Sequence, residues 1–249
     1  MICPKCHHEQ RPDNVECVKC GVIFAKYAAA QQARMNAGHR GSADPSPPEE
    51  QNRTAMADVF FYINPDSHMF FLIGRCIVFV VLIFWGIRFV FSPLEDNYAG
   101  QSFMHLVNLP FHEAGHIFFR ILGSFMTSLG GTIGQFLMPL VCFAVFLFKT
   151  RDTFGASAAL WWFGQNFFDI APYINDARSL SLPLLGGNTG LSSPYGFHDW
   201  EYLLTESGLL RYDHFIAKLC VFAGTVTFIL SFAWGGILLY KQYRNLKRQ

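Results

Sequence analysis

The chain has 249 residues, 51% apolar, 16% aromatic and only 15% charged, with 27 phenylalanines and a formal net charge of +1. That balance is richer in apolar and poorer in charged residues than an ordinary soluble domain. With no dominant basic face, it also argues against nucleic acid as the main partner. The averages hide a split: residues up to about Asp58 are polar and cysteine-bearing, while most of the chain beyond them is membrane-like.

The N-terminus carries Cys3-Pro4-Lys5-Cys6 and Cys17-Val18-Lys19-Cys20-Gly21, two C-x-x-C knuckles ten residues apart. Four thiolates supplied in two such pairs suit one tetrahedral zinc ion. A module this short buries little apolar surface, so the metal would supply most of its folding free energy. Disulfides are the alternative, but nothing in the chain suggests export of this end, and no cleavable signal peptide is expected because cysteines stand where an apolar run would be. The first thirty residues, with the run Cys20-Gly21-Val22-Ile23-Phe24-Ala25-Lys26-Tyr27, resemble the small zinc ribbons that begin many bacterial proteins. That resemblance implies a structural zinc or a docking site for a protein partner, and not catalysis. Residues 31–58, rich in Gly, Ser, Pro and Glu around 38–50, have the make-up of a flexible tether.

From residue 59 onward the expected fold class is mainly α, a polytopic membrane helix bundle in the lipid bilayer with about five hydrophobic segments: 69–91, 103–122, 133–148, 155–174 and 215–240. Arg75 and Arg88 stand near the ends of the first, where they can snorkel. The basic tail Lys241–Arg248 reads as cytoplasmic by the positive-inside rule. The thiol-bearing N-terminus also reads as cytoplasmic, in a bacterial inner membrane. Five full crossings cannot put both ends on one side, so either one segment is re-entrant, around residues 130–139, or one end is misassigned.

The second segment contains His112-Glu113-Ala114-Gly115-His116. On a helix, positions i and i+4 share a face, so both imidazoles can approach one metal ion. Glu113 lies about 100° around the helix, close enough to reach a metal-bound water without being a ligand. An ionisable residue at bilayer depth costs roughly 2.5–3.5 kcal/mol, so three within five positions call for a compensating cation.

A catalytic zinc needs a third protein ligand and an open position. Asp169, in Gln165-Asn166-Phe167-Phe168-Asp169-Ile170, is the first candidate, because a carboxylate deep in an apolar span needs a partner. Asn166, three residues earlier on the same face, could orient that carboxylate or a substrate carbonyl. Asp176 is the rival, and the His198-Asp199 pair in the loop before the last span is the third option. The Gly-rich stretch 129–135 reads either as a cavity-lining backbone edge that receives substrate or as a tight helical connection.

Residues 103–176 resemble the site-2 protease type of intramembrane zinc metalloprotease, in which an H-E-x-x-H helix is completed by an aspartate from a later helix. The resemblance implies a zinc endopeptidase that hydrolyses peptide bonds of membrane-embedded or membrane-anchored proteins. In it, His112 and His116 hold zinc and Glu113 is the general base on the zinc-bound water. The family's Asn-Pro stretch ending in Leu-Asp-Gly is absent as such; Asn166, Pro172 and Asp176 follow its outline and Asp169 interrupts it. No PDZ insertion is recognisable, so the resemblance is to a divergent branch. Two other classes fit the same residues: a metal-ion or proton transporter, and a membrane-tethered zinc-ribbon adaptor without catalysis.

Overall fold

Two knuckles of the same construction open the chain. In the first, the His7 N–H donates to the Cys3 carbonyl (3.0 Å); in the second, the Gly21 N–H donates to the Cys17 carbonyl (2.8 Å). His7 and Gly21 hold matching left-handed conformations, φ 58° and 67°, a region that costs a residue bearing a Cβ more than it costs glycine. One antiparallel bridge flanks each knuckle, Ile2–Glu9 and Glu16–Ile23. The computed structural model describes residues 1–39, 56–65, 68–192 and 198–248, in two compact units, Met1–Thr54 and Ala55–Gln249.

The four ribbon cysteines form one cluster. Cys3 and Cys20 sulfurs stand 3.8 Å apart, and Cys6 and Cys17 sulfurs 3.6 Å. Four sulfurs around zinc at 2.3 Å are separated by about 3.8 Å along each tetrahedron edge, so the spacing suits a shared ion, and all four cysteines are free of disulfides. At Cys3, burial alone would raise the thiol, but the backbone N–H groups of Cys6 and Lys5 bring it down to about 6. At Cys20 the Val22 N–H acts in the same sense, yet burial and the neighbouring sulfurs push the thiol up to about 12. Four thiolates gathered this closely need a dication between them. Helix α1 (Phe24–His39) comes next. Residues 31–39, expected as the start of a flexible tether, are therefore helical, and residues 40–55 of that tether lie outside the described residues.

The second unit is helical throughout its long elements: α2 (Met69–Phe91), α3 (Phe103–Phe119), α4 (Ser124–Ala144), α5 (Thr153–Asn175), α6 (Asp199–Glu206) and α7 (Asp213–Leu246). A π-helical turn, Val145–Lys149, extends α4. Each of the five hydrophobic segments is thus a helix. Three stretches are long and apolar enough to cross a membrane: Met69–Phe91, Ser124–Lys149 and Leu210–Leu246. Their outward faces carry Phe70, Phe84, Phe148, Phe215 and Phe222 in exposed positions, an apolar belt that suits lipid better than water. Helices α3 and α5 fall short of that standard because they bear the polar residues of the interior: His105, Asn108, His112, Glu113 and His116 on α3, and Gln165, Asn166 and Asp169 on α5.

Helix α5 is the axis of the bundle, packed against α7 on one side and α4 on the other. Its contact with α7 is aromatic: Trp161 stacks on Phe228 (5.2 Å) and Phe168 on the same ring (5.0 Å), with Phe89 of α2 closing the cluster. Polar ties hold the periphery. Arg75 of α2 donates to Gln242 of α7 (2.9 Å) and to Asp152 (3.0 Å), which also caps α5 by accepting from the Gly155 N–H. The stretch 130–139, expected as a re-entrant break or a free backbone edge, lies inside the continuous helix α4. Its backbone donors and acceptors are used within the helix, so no strand can add there. Stripping metal from the ribbon, or replacing Cys3 or Cys17 with Ser, should unfold residues 1–23 and leave the helical content of the second unit unchanged by circular dichroism. The ribbon ion should be lost progressively on acidification, since protons compete for the thiolates.

Candidate metal centre

The site begins with how closely α3 and α4 approach. A methyl group built on Gly115 would overlap the Gly130 carbonyl, and one on Gly134 would overlap the Phe111 carbonyl. Glycines on both helices let the backbones touch. That contact brings α4 against the face of α3 that carries both histidines. Gly131 forms the wall directly behind them: a Cβ there would stand 2.6 Å from His112 Nε2 and 2.6 Å from His116 Cε1.

Helix α4 also orients both rings. His112 Nδ1 lies 2.7 Å from Gln135 Oε1, and His116 Nδ1 lies 2.8 Å from the Thr127 carbonyl. Both partners are acceptors, so each Nδ1 carries the proton and each Nε2 presents its lone pair. This is the arrangement that metal-ligating histidines adopt, in which an outer partner fixes the tautomer.

The two Nε2 atoms converge on one carboxylate oxygen. Asp199 Oδ2 is 3.3 Å from His112 Nε2 and 3.2 Å from His116 Nε2. Three donor atoms around zinc at 2.0–2.1 Å are spaced about 3.3–3.4 Å apart in a tetrahedron. Burial alone would raise the Asp199 carboxyl, but the imidazoles of His112 and His116 hold it down at about 2, so it is ionised. Two imidazole nitrogens and a carboxylate facing one point need positive charge between them, supplied by protons on the rings or, once these leave, by a metal cation. The donor set, two imidazoles and one carboxylate, suits zinc and leaves a fourth position open. Glu113 presents a carboxylate oxygen within 4.8 Å of a ring nitrogen of each histidine.

Asp199 is the first residue of α6, and a chain of contacts positions it. The preceding residue, His198, is 2% exposed, and its Nδ1 accepts from the Glu201 N–H (3.2 Å) to cap the helix. Burial pushes the His198 imidazole down and keeps it neutral, against the raising influence of Asp176. Its Nε2 therefore bears the proton and points at Asp176 Oδ2, 3.6 Å away. Asp176 in turn is wrapped by the loop after it: Ser179 Oγ, the Ser181 N–H and Ser181 Oγ donate to Oδ1, and the Leu182 N–H to Oδ2. Those donors outweigh burial and hold its carboxyl below the usual range. Trp200 packs α6 against the buried cluster that includes Ile170 and Ile174 of α5.

The third donor beside the histidines is thus Asp199, and not Asp169. Asp169 is 3% exposed and both its oxygens are engaged elsewhere: Oδ1 faces His105 Nδ1 (3.0 Å) and Oδ2 accepts from Asn108 Nδ2 (2.9 Å). These two α3 residues, one and two turns before His112, capture the carboxylate before it can reach that ring. Asp176 supports the donor set instead of joining it. Asn166 neither orients Asp169 nor lines the cavity; its Nδ2 donates to the Trp162 carbonyl (3.0 Å). Asn108 does the orienting, with its own amide fixed by Trp162 Nε1 (2.8 Å) and Gln165 Oε1 (2.8 Å). Gln135, Thr127 and Gly131 escape sequence reasoning. Of these, Gln135 carries a signal, as the one amide side chain of α4, one turn after Gly131.

All of this opens into a cavity of about 980 Å³ whose walls include His105, Glu113, Arg120, Tyr173 and Leu184. Asp199→Asn and Gly131→Ala should each reduce bound metal from two ions per chain to one by elemental analysis, the ribbon ion remaining. Asp169→Asn should keep both, and Gln135→Leu should weaken the second ion about 10–100-fold. Gly74→Ala, with open space around its Cβ, should change nothing. Comparison of the chain with protein-family models, with curated proteins and with solved structures returns no match, so the reading of this centre rests on its geometry.

Proposed function

We propose that this chain is an intramembrane zinc endopeptidase, acting on membrane-embedded or membrane-anchored proteins. One observation carries the reading: Asp199 Oδ2 stands at zinc-tetrahedron edge lengths from both His112 Nε2 and His116 Nε2, and the Glu113 carboxylate lies within 4.8 Å of a ring nitrogen of each histidine. Three ligands and an open fourth position distinguish a catalytic zinc from a closed structural one. A bound zinc would polarise a scissile carbonyl and lower the pKa of water there.

The chain's own residues supply the rest. Glu113, half-buried at the cavity wall and not tied to any described residue by a hydrogen bond, is free to take the proton from the attacking water and return it to the leaving amine. Gln135 and the Thr127 carbonyl keep both imidazoles in the tautomer that binds metal throughout. The cavity admits water to a centre flanked by an apolar belt, and its size accommodates a short unwound segment of a substrate helix. The ribbon, whose reduced cysteines suit the cytoplasm, would dock a protein partner or the soluble part of a substrate.

Glu113→Gln tests the reading. It should retain two zinc ions per chain and lose cleavage of a reporter carrying a membrane-spanning segment by about 10²–10⁴-fold, read by mass spectrometry of the products. Cleavage that survives the substitution would leave the centre as a structural ion in a tethered adaptor.

A further inference from the structure

A second polar pair faces the same cavity and has no part in holding the metal. His105 and Asp169 both line it. Asp169 lies behind His105, and its oxygens are spent on His105 Nδ1 and Asn108 Nδ2. Asn108 is itself locked by Trp162 and Gln165, so the carboxylate has no freedom to turn. Tyr173 stacks along the His105 ring at 6.2 Å and fixes its plane. A five-membered ring held at Nδ1 directs Nε2 the other way, and that nitrogen has no hydrogen-bond partner among the described residues. A buried carboxylate without a compensating charge is costly. His105 is the basic group paired with it, and in that ion pair, with the ring protonated, Nε2 offers an N–H donor to whatever occupies the cavity.

The spacing identifies the occupant. His105 and His112 are seven residues apart on one helix, two turns, so they share a face and differ in height by about 10 Å. An extended peptide advances about 3.3 Å per residue. A peptide lying along α3 with its scissile bond at the metal therefore sets the side chain three residues away against His105. Between the two stand Leu109 and the wall of Tyr173, which suit apolar side chains.

We infer that His105, held by Asp169, is a specificity-determining positioning residue that reads a side-chain oxygen, carboxylate or carboxamide, three residues from the bond that is cut. The substrate class is then an otherwise apolar segment carrying one Glu, Gln, Asp or Asn at that distance. Such a residue is uncommon in a membrane span, which gives the selection its value: a site built to donate a hydrogen bond discriminates strongly against an analogue lacking the acceptor. The inference rests on the peptidase reading for the nature of the occupant, but its test does not require turnover.

Peptide hydroxamates serve as rulers, because the hydroxamate binds zinc and sets the register. Two series, one extending from each side of the zinc-binding group, carry a single Glu or Gln among leucines at the first, second, third or fourth residue. Binding is measured to the zinc-loaded full chain in detergent. In one series the third-residue Glu and Gln compounds should bind about ten- to hundredfold more tightly than their all-leucine parent, while other positions gain little. His105→Phe keeps the ring stack and zinc content and should erase that advantage without weakening the all-leucine compound. Should that variant fail to assemble, Asp169→Asn, nearly the same in shape, should reduce the same advantage. Equal affinities across both series, or a third-residue advantage that persists in both variants, overturns the assignment. A register-dependent series in a chain that cuts no peptide would sink the endopeptidase reading alone.

Discussion

The need for positive charge where two imidazole nitrogens and a carboxylate converge governs this molecule. Each is individually well placed: Gln135 and Thr127 hold the rings, and the His198 cap holds Asp199. What binds the three together is positive charge, either protons on the rings or a metal ion shared by all three. At an effective dielectric of about 20, opposite unit charges about 4 Å apart attract by roughly 4 kcal/mol, and a dication close to all three donors gains more. The same logic operates at the other end of the chain, where four thiolates, paired at 3.6 and 3.8 Å, would repel without a cation between them. Two unrelated donor chemistries, thiolate in a solvated knuckle and imidazole–carboxylate in an apolar bundle, thus meet the same requirement.

That requirement shapes the helices around it. Holding both rings on α4 acceptors demands that α3 and α4 touch backbone to backbone, hence Gly115 facing Gly130 and Gly134 facing Phe111. Close contact of that kind leaves little apolar side-chain surface to bury between the two helices, and membranes supply no hydrophobic drive to compensate. The bundle makes up the difference on the far side of α5, where Trp161, Phe168, Phe89 and Phe228 interlock. The polar and aromatic faces of α5 are therefore complementary: one side holds Asp169 and Gln165 toward α3, and the other clamps α7. A helix asked to do both cannot be uniformly apolar, which is why α5 fails the hydropathy standard that α2, α4 and α7 meet.

Much of this is legible in the residues alone. The knuckle spacing identifies the ribbon, and the i, i+4 histidines identify the centre, because both signals are short-range and set by backbone geometry. Hydropathy locates all five helices, although Ser124 and Lys149 extend the third segment well beyond 133–148. The third donor is where the sequence misleads. It favours Asp169 because a buried carboxylate must have a partner; that premise holds, but the partner is His105, which has no i+4 metal-binding companion to draw notice. Periodicity places residues on a helix face without saying which neighbouring helix comes within reach. Asp199 is harder still, since a short amphipathic helix after a long loop carries no hydropathic signature, and its position depends on Asp176 gathering the start of that loop around its own carboxylate.

The origin of the third donor has a consequence for how the centre is assembled. His112 and His116 sit on a helix built into the bundle, whereas Asp199 arrives on α6, reached through the connection that starts at Asp176. That connection is organised by local hydrogen bonds to one carboxylate and by the Pro183–Thr189 bridge, with Trp200 as the principal apolar anchor. Ordering a long connection costs conformational entropy residue by residue, and between Arg178 and Ser192, its described part after Ala177, the residues are half-buried or exposed. Metal binding at Asp199 would then contribute directly to the stability of this segment, because the free energy of coordination is available only in the closed arrangement. The ion and the loop stabilise one another: the loop delivers the carboxylate, and the carboxylate, once shared with the imidazoles, fixes the loop that walls the cavity with Leu184 and Leu185. A metal ion shared with Asp199 would thus tie access to the cavity to metal occupancy, a coupling that a centre with all three ligands on rigid helices would lack.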